Sequence, residues 1–276
     1  MKMRQSKELQ FEKPSFRKRL KGMLGVDFYR LFHTPMFYIF VAIAAIIPAM
    51  ILTMMSSGDS GTQMYTNTWQ IIAADTPLYA VSNMGEYANM NMVYIFGGIM
   101  VSVFIGHDYR SGYVKQLFTT HVKKRDYMMS KTIVCAFTMA CMCLSYLAAS
   151  IIAGFIAGTP FSVNVGSLII AILSKIILSL GWASLYTFLN VILRRYFGVA
   201  IAASFAIGTG LPILAVGMIL GNSAGSILNL FMYGASVYAC LSSTFMTLLV
   251  CLAVSVAWAL IYNILGSLIL SKSDVY

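Results

Sequence analysis

The chain has 276 residues, of which 59% are hydrophobic and 10% charged. A soluble domain carries about 25% charged residues, so this composition excludes a water-soluble globule and places the chain among membrane proteins. Its net charge of +10, from 19 Lys+Arg against 9 Asp+Glu, would point to a nucleic-acid binder in a soluble protein; in a membrane protein the placement of those charges matters more than their sum.

Residues 1–35 are basic and lack a small-residue cleavage site behind a short apolar core, so no cleavable signal is expected. Within them SFRKRLKGMLGVDFYRLF (15–32) sets Phe16, Leu20, Met23, Phe28 and Leu31 near one helical face, with Arg17, Lys18, Lys21 and Asp27 mostly elsewhere. A basic amphipathic segment ahead of an apolar run is expected to lie on the membrane surface, where its basic side attracts anionic headgroups. The plainer alternative is a polybasic topogenic signal with no ordered helix.

A bilayer core needs roughly 20 apolar residues of helix. Six runs meet that length within a single domain at 36–270: 36–55, 88–106, 127–157, 166–193, 196–220 and 244–270. Pro48 is expected to kink the first. The shorter run 227–241 (ILNLFMYGASVYACL) suits a re-entrant or interfacial segment, and 271–276 form a short tail. Eighteen of the nineteen bases then fall on one side: nine before the first span, six at 107–131, Arg194 and Arg195, and Lys272. The opposite side (56–87, 158–165 and 221–243) holds only Asp59, Asp75 and Glu86. The excess of bases predicts that both termini are cytoplasmic.

The nineteenth base is Lys175, within a run of 28 residues at 166–193. That run is roughly 42 Å long as a helix, longer than a core of about 30 Å. Lys175 either snorkels to the outer interface or faces a pathway or subunit interface.

No Asp or Glu lies in a span core, and His33, His107 and His121 all fall on the basic side. A carrier driven by an ion gradient would need intramembrane relays, so that class loses weight. Neither H-E-x-x-H nor G-x-x-x-x-G-K-[ST] occurs, so no metalloprotease or phosphate-loop ATPase is read here. Cys135, Cys141, Cys143, Cys240 and Cys251 lack metal or redox spacing and read as packing residues. Gly154/Gly158 and Gly217/Gly221 have the spacing of close helix packing. In the outer segment Tyr65, Trp69 and Tyr79 read equally as interfacial anchors or binding groups.

The stretch 107–131, HDYRSGYVKQLFTTHVKKRDYMMSK, holds more than topology requires. After Gly112, the residues Tyr113, Leu117 and Phe118 recur at helical spacing with Lys115 and Gln116 between them. This predicts a short helix over 111–119, able to enter a groove on a partner protein. The bland alternative is a solvated polar loop.

The order Asp108, Gly112, Leu117-Phe118, Arg125 and Lys131 resembles the loop between spans two and three of the type-2 ATP-binding-cassette (ABC) export permeases. The layout is similar too: amphipathic first helix, six spans and a short apolar piece before the last. The family often has Glu where Asp108 stands and Pro near His121. The resemblance implies an all-α polytopic permease whose short helix between spans two and three is a coupling helix. Asp108, Gly112, Tyr113, Lys115, Leu117, Phe118 and Arg125 are then expected at the contact with a cytoplasmic ABC ATPase. ATP and magnesium would sit on that subunit, and this chain would carry no catalytic residue, cofactor or metal. A second permease copy or a sister permease would complete the pathway. The expected role is export of an amphipathic or hydrophobic substrate, such as an antimicrobial peptide or drug, across a bacterial cell membrane. A non-transporting scaffold or sensor that recruits a partner through 107–131 is the competing expectation.

Overall fold

The first helix, α1, spans Phe16–His33 and ends for a local reason. Thr34 is extended, as the residue before a proline prefers, and Pro35 then opens α2 (Pro35–Met54), where its missing N–H is not required. The Thr34 hydroxyl donates to the carbonyl of Arg30 (2.6 Å) and its amide to that of Leu31 (3.2 Å), which satisfies the end of α1. The two helices meet at a bend of 66°.

The structure, a computed structural model, describes residues 15–54, 84–119, 122–156, 164–212, 215, 219 and 230–272. All regular structure among the described residues is helical. After α2 come α3 (Met84–Arg110), α4 (Tyr113–Thr119), α5 (Lys124–Ile156), α6 (Val165–Ile192), α7 (Phe197–Gly208), α8 (Met232–Leu241) and α9 (Phe245–Lys272). Most of the outer segment with Asp59, Tyr65, Trp69, Asp75 and Tyr79 lies outside the described residues, as do His121, Gly158, Gly217, Gly221 and the bases before residue 15.

Three described helices are long and apolar enough to cross a bilayer: Lys124–Ala153, Val165–Ile192 and Phe245–Lys272. Counting the bent α1–α2 pair as one span raises the number to four. The six expected spans are thus matched only in part. α2 and α3 coincide with the first two expected runs; α7, at 12 residues, covers the first half of the fifth, of which most of 213–220 lies outside the described residues. The short run before the last span contains α8, a helix of 10 residues, or about 15 Å. Its Ser236 accepts a hydrogen bond from the Trp182 indole (2.9 Å), near the middle of α6.

α6 is the centre of the bundle. It packs against α3, α5 and α9, and residues from Ala171 to Val191 are buried along it. Small polar groups fasten these helices, as expected where lipid supplies no hydrophobic drive between them. Asn190 donates to Ser102 (3.0 Å), which is 2.9 Å from Ser204, tying α6, α3 and α7. Ser255 of α9 donates to the Ile177 carbonyl (2.6 Å) and accepts from the Gly181 amide (3.0 Å).

Candidate functional site

The basic ends of the helices gather at one end of the bundle. Met23 of α1, Val114 of α4, Tyr127 and Met128 of α5, Val191 of α6 and Leu270 of α9 form one apolar cluster there. Leu117 and Phe118 pack on it, and Phe118 sits edge-on to Tyr127 with ring centroids 5.7 Å apart. The inner face of α4 therefore touches the ends of helices far apart in sequence.

Behind α4 lies an ion cluster. Lys131 Nζ is 2.6 Å from Asp27 Oδ1 and 2.6 Å from Asp108 Oδ2. Arg30 Nη2 is 2.6 Å from Asp108 Oδ1. Ser130 donates to Asp27 (2.6 Å) and Tyr127 to Asp108 (3.4 Å). Two acids face two bases, so the cluster is neutral. Asp27, Asp108 and Lys131 are each at most 1% exposed. Burial of charge is costly unless it is paired, and each of the four groups has an opposite charge at 2.6 Å. A separate pair, Arg19 and Asp126 (2.8 Å), again joins α1 to α5.

α4 is joined to this cluster through Tyr113. The Arg30 guanidinium lies 4.0 Å from the Tyr113 ring centroid, and Lys131 Nζ lies 4.6 Å from that of Phe104. Burial raises the Tyr113 pKa, as do Asp27 and Asp108, outweighing Lys131 and Arg30. Its phenol therefore stays neutral and offers a π-face. Gly112 makes the turn from α3 to α4 with φ +72°, in the left-handed region that favours glycine, although a Cβ there would meet open space. Lys124 donates to the Leu270 carbonyl (2.6 Å), placing a cation at the C-terminus of α9.

The residues expected at a partner contact divide into two groups. Lys115 and Arg125 are exposed, with Arg125 over the Phe16 ring at 5.2 Å. Tyr113, Leu117 and Phe118 are half-buried and turned toward the bundle. Asp108 is fully buried, and its carboxylate is occupied by Arg30 and Lys131. Lys175 is 6% exposed, covered by protein and not displayed at an outer surface, and its carbonyl accepts from Tyr94 (3.2 Å). Asp27 was placed mostly off the apolar face of α1 by the sequence reading, yet it is buried between Met23 and Leu31. The spacing 23–27–31, one residue per helical turn, was the available signal.

The family profile described as ABC-2 family transporter protein matches residues 24–209. The chain belongs to the ABC-2 transporter family. No curated protein matches the sequence at a significant level. The matched residues include the whole ion cluster, α4 and the α3–α4 turn. ABC-2 membership makes the chain a multi-pass membrane component of transport, and it implies an ABC ATPase subunit as partner.

Proposed function

We propose that this ABC-2 protein is the permease subunit of an ATP-driven exporter and that the exposed face of α4 receives the force of its ATPase. The observation that carries this reading is the two-sided character of α4. Lys115, Gln116 and Thr119 face outward, while Val114 is buried against the ends of α1, α5, α6 and α9. A push on such a helix is passed to several spans at once, which suits conversion between inward- and outward-open arrangements.

The remaining parts of the reading follow the family. Six spans carry both termini to the cytoplasm of a bacterial cell, with α1 on the membrane surface and α8 entering without crossing. Two permease chains, identical or sister, line the pathway, and Lys175 is the candidate polar group at that pathway or interface. ATP and magnesium stay on the ATPase. An amphipathic or apolar substrate, such as an antimicrobial peptide or drug, fits the apolar span composition.

The test is co-purification with its ABC ATPase, sought first among the products of neighbouring reading frames, followed by ATP turnover in liposomes. Lys115→Glu is expected to weaken the complex about tenfold, the size of one lost charge-assisted contact, while leaving the thermal midpoint of the isolated permease unchanged. Failure of the wild-type chain to form that complex, or a complex without transport-coupled turnover, would sink the exporter reading in favour of a recruiting scaffold.

A further inference from the structure

At the bend between α1 and α2 a cavity of about 310 Å³ opens against α3. Its size falls within the range of small-ligand clefts, about 300–1,000 Å³. The wall combines Arg30, His33 and His107 with an apolar floor that includes Met36, Met100 and Phe104. No acidic residue lines it. The Asp108 carboxylate is held by Arg30 and shared with Lys131.

The donors here are partly unspent. Arg30 uses Nη2 on Asp108, whereas its buried Nη1 has no hydrogen-bond partner. His33 Nδ1 lies 2.8 Å from the Tyr29 carbonyl, which can only accept, so Nδ1 carries the proton; Nε2 then accepts in the neutral ring and donates to an anion only in the imidazolium form. The His33 ring stacks on Tyr29 at 3.9 Å, which fixes its orientation. His33 and His107 are both exposed. The cavity thus presents cationic and imidazole groups above methionine and phenylalanine, at the position where the first apolar helix begins.

We propose that this cavity binds an anionic phospholipid, with the headgroup phosphate on Arg30, His33 and His107 and the first methylenes of a chain on Met36, Met100 and Phe104. A soluble anion would use the donors but not the apolar floor. A zwitterionic lipid would bring a cation toward a wall that offers it no carboxylate. A basic pocket between membrane helices is a known chemistry for acidic headgroups. Binding at this bend stabilises the angle between α1 and α2, and through Arg30 it touches the same cluster that holds α4.

The experiment is native mass spectrometry of the full chain in neutral detergent, titrated separately with phosphatidylglycerol, phosphatidylcholine and inorganic phosphate. Wild type is expected to retain phosphatidylglycerol in preference to phosphatidylcholine, and millimolar phosphate should not displace it. H33Q/H107Q removes both imidazoles while keeping polar side chains, and V103F, at Val103 in the cavity wall, narrows the cavity without touching charge. Each should weaken phosphatidylglycerol retention about tenfold, in line with lost charge-assisted or apolar contacts, at an unchanged thermal midpoint. Equal retention of phosphatidylcholine, displacement by free phosphate, or wild-type retention by both variants would overturn the proposal. None of these readouts depends on transport, so this site stands or falls separately from the exporter reading.

Discussion

Lys131 is the residue on which the ion cluster turns, because among the described residues it is the one ion-paired to both acids. Lys131→Met would leave Asp27 and Asp108 facing only Arg30, and an uncompensated buried charge costs roughly 3–5 kcal/mol. The expected result is a large fall in the thermal midpoint in detergent or loss of the monodisperse peak. Adding Asp27→Leu restores balance, since Asp108 and Arg30 then pair one to one, and much of the lost stability should return. A double variant no more stable than the single one would show that packing, not charge balance, governs this region. The sequence made the bases of this end look interchangeable, as a charge bias that sets sidedness. Arg19, Arg30 and Lys131 are instead committed to particular acids. Nothing local announces a bond such as Lys131 to Asp27, which spans 104 residues of chain. The one legible hint was the place of Asp27 in a stripe with Met23 and Leu31.

Elements were legible to the degree that they depend on local rules. The short helix between α3 and α5 was expected over 111–119 and is found at Tyr113–Thr119, with Gly112 supplying the turn. The amphipathic segment before the first apolar run is helical, and Pro35 marks its end. Within the expected run 196–220, α7 ends at Gly208, and most of 213–220 lies outside the described residues. At this scale Gly112 is the sharpest test. Gly112→Ala forces a side chain into the left-handed region at a cost of about 1–2 kcal/mol, with no steric clash to add to it. A lower thermal midpoint is expected, together with weaker ATPase binding because α4 leaves its seat. Ser111→Ala, one residue earlier and exposed, loses only a long hydrogen bond to the Asp108 carbonyl (3.5 Å) and should leave both quantities near wild type. Equal behaviour of the two variants would mean that the turn does not position α4.

For the molecule as a whole, two independent lines give the same arrangement. The census of bases groups the end of α3, the start of α5, the end of α6 and the end of α9 on one side, using charge alone. The packing brings Val114, Tyr127, Val191 and Leu270, which sit beside those same termini, into a single cluster, using apolar contact alone. Charge and apolar packing thus set the same helix ends together. Their convergence also explains how one small helix can address the whole bundle. The orientation is open to direct measurement with single cysteines placed in a background freed of the native ones. Lys115→Cys, Arg195→Cys and Lys272→Cys lie at exposed positions of the basic end, whereas Val165→Cys lies at the exposed start of α6 at the other end. In intact cells an impermeant maleimide is expected to label only the Val165 variant, and after permeabilisation all four. Labelling of Lys272→Cys but not Lys115→Cys from outside would mean an odd number of crossings after α6, through α8 crossing as well or through the run that begins with α7 failing to cross.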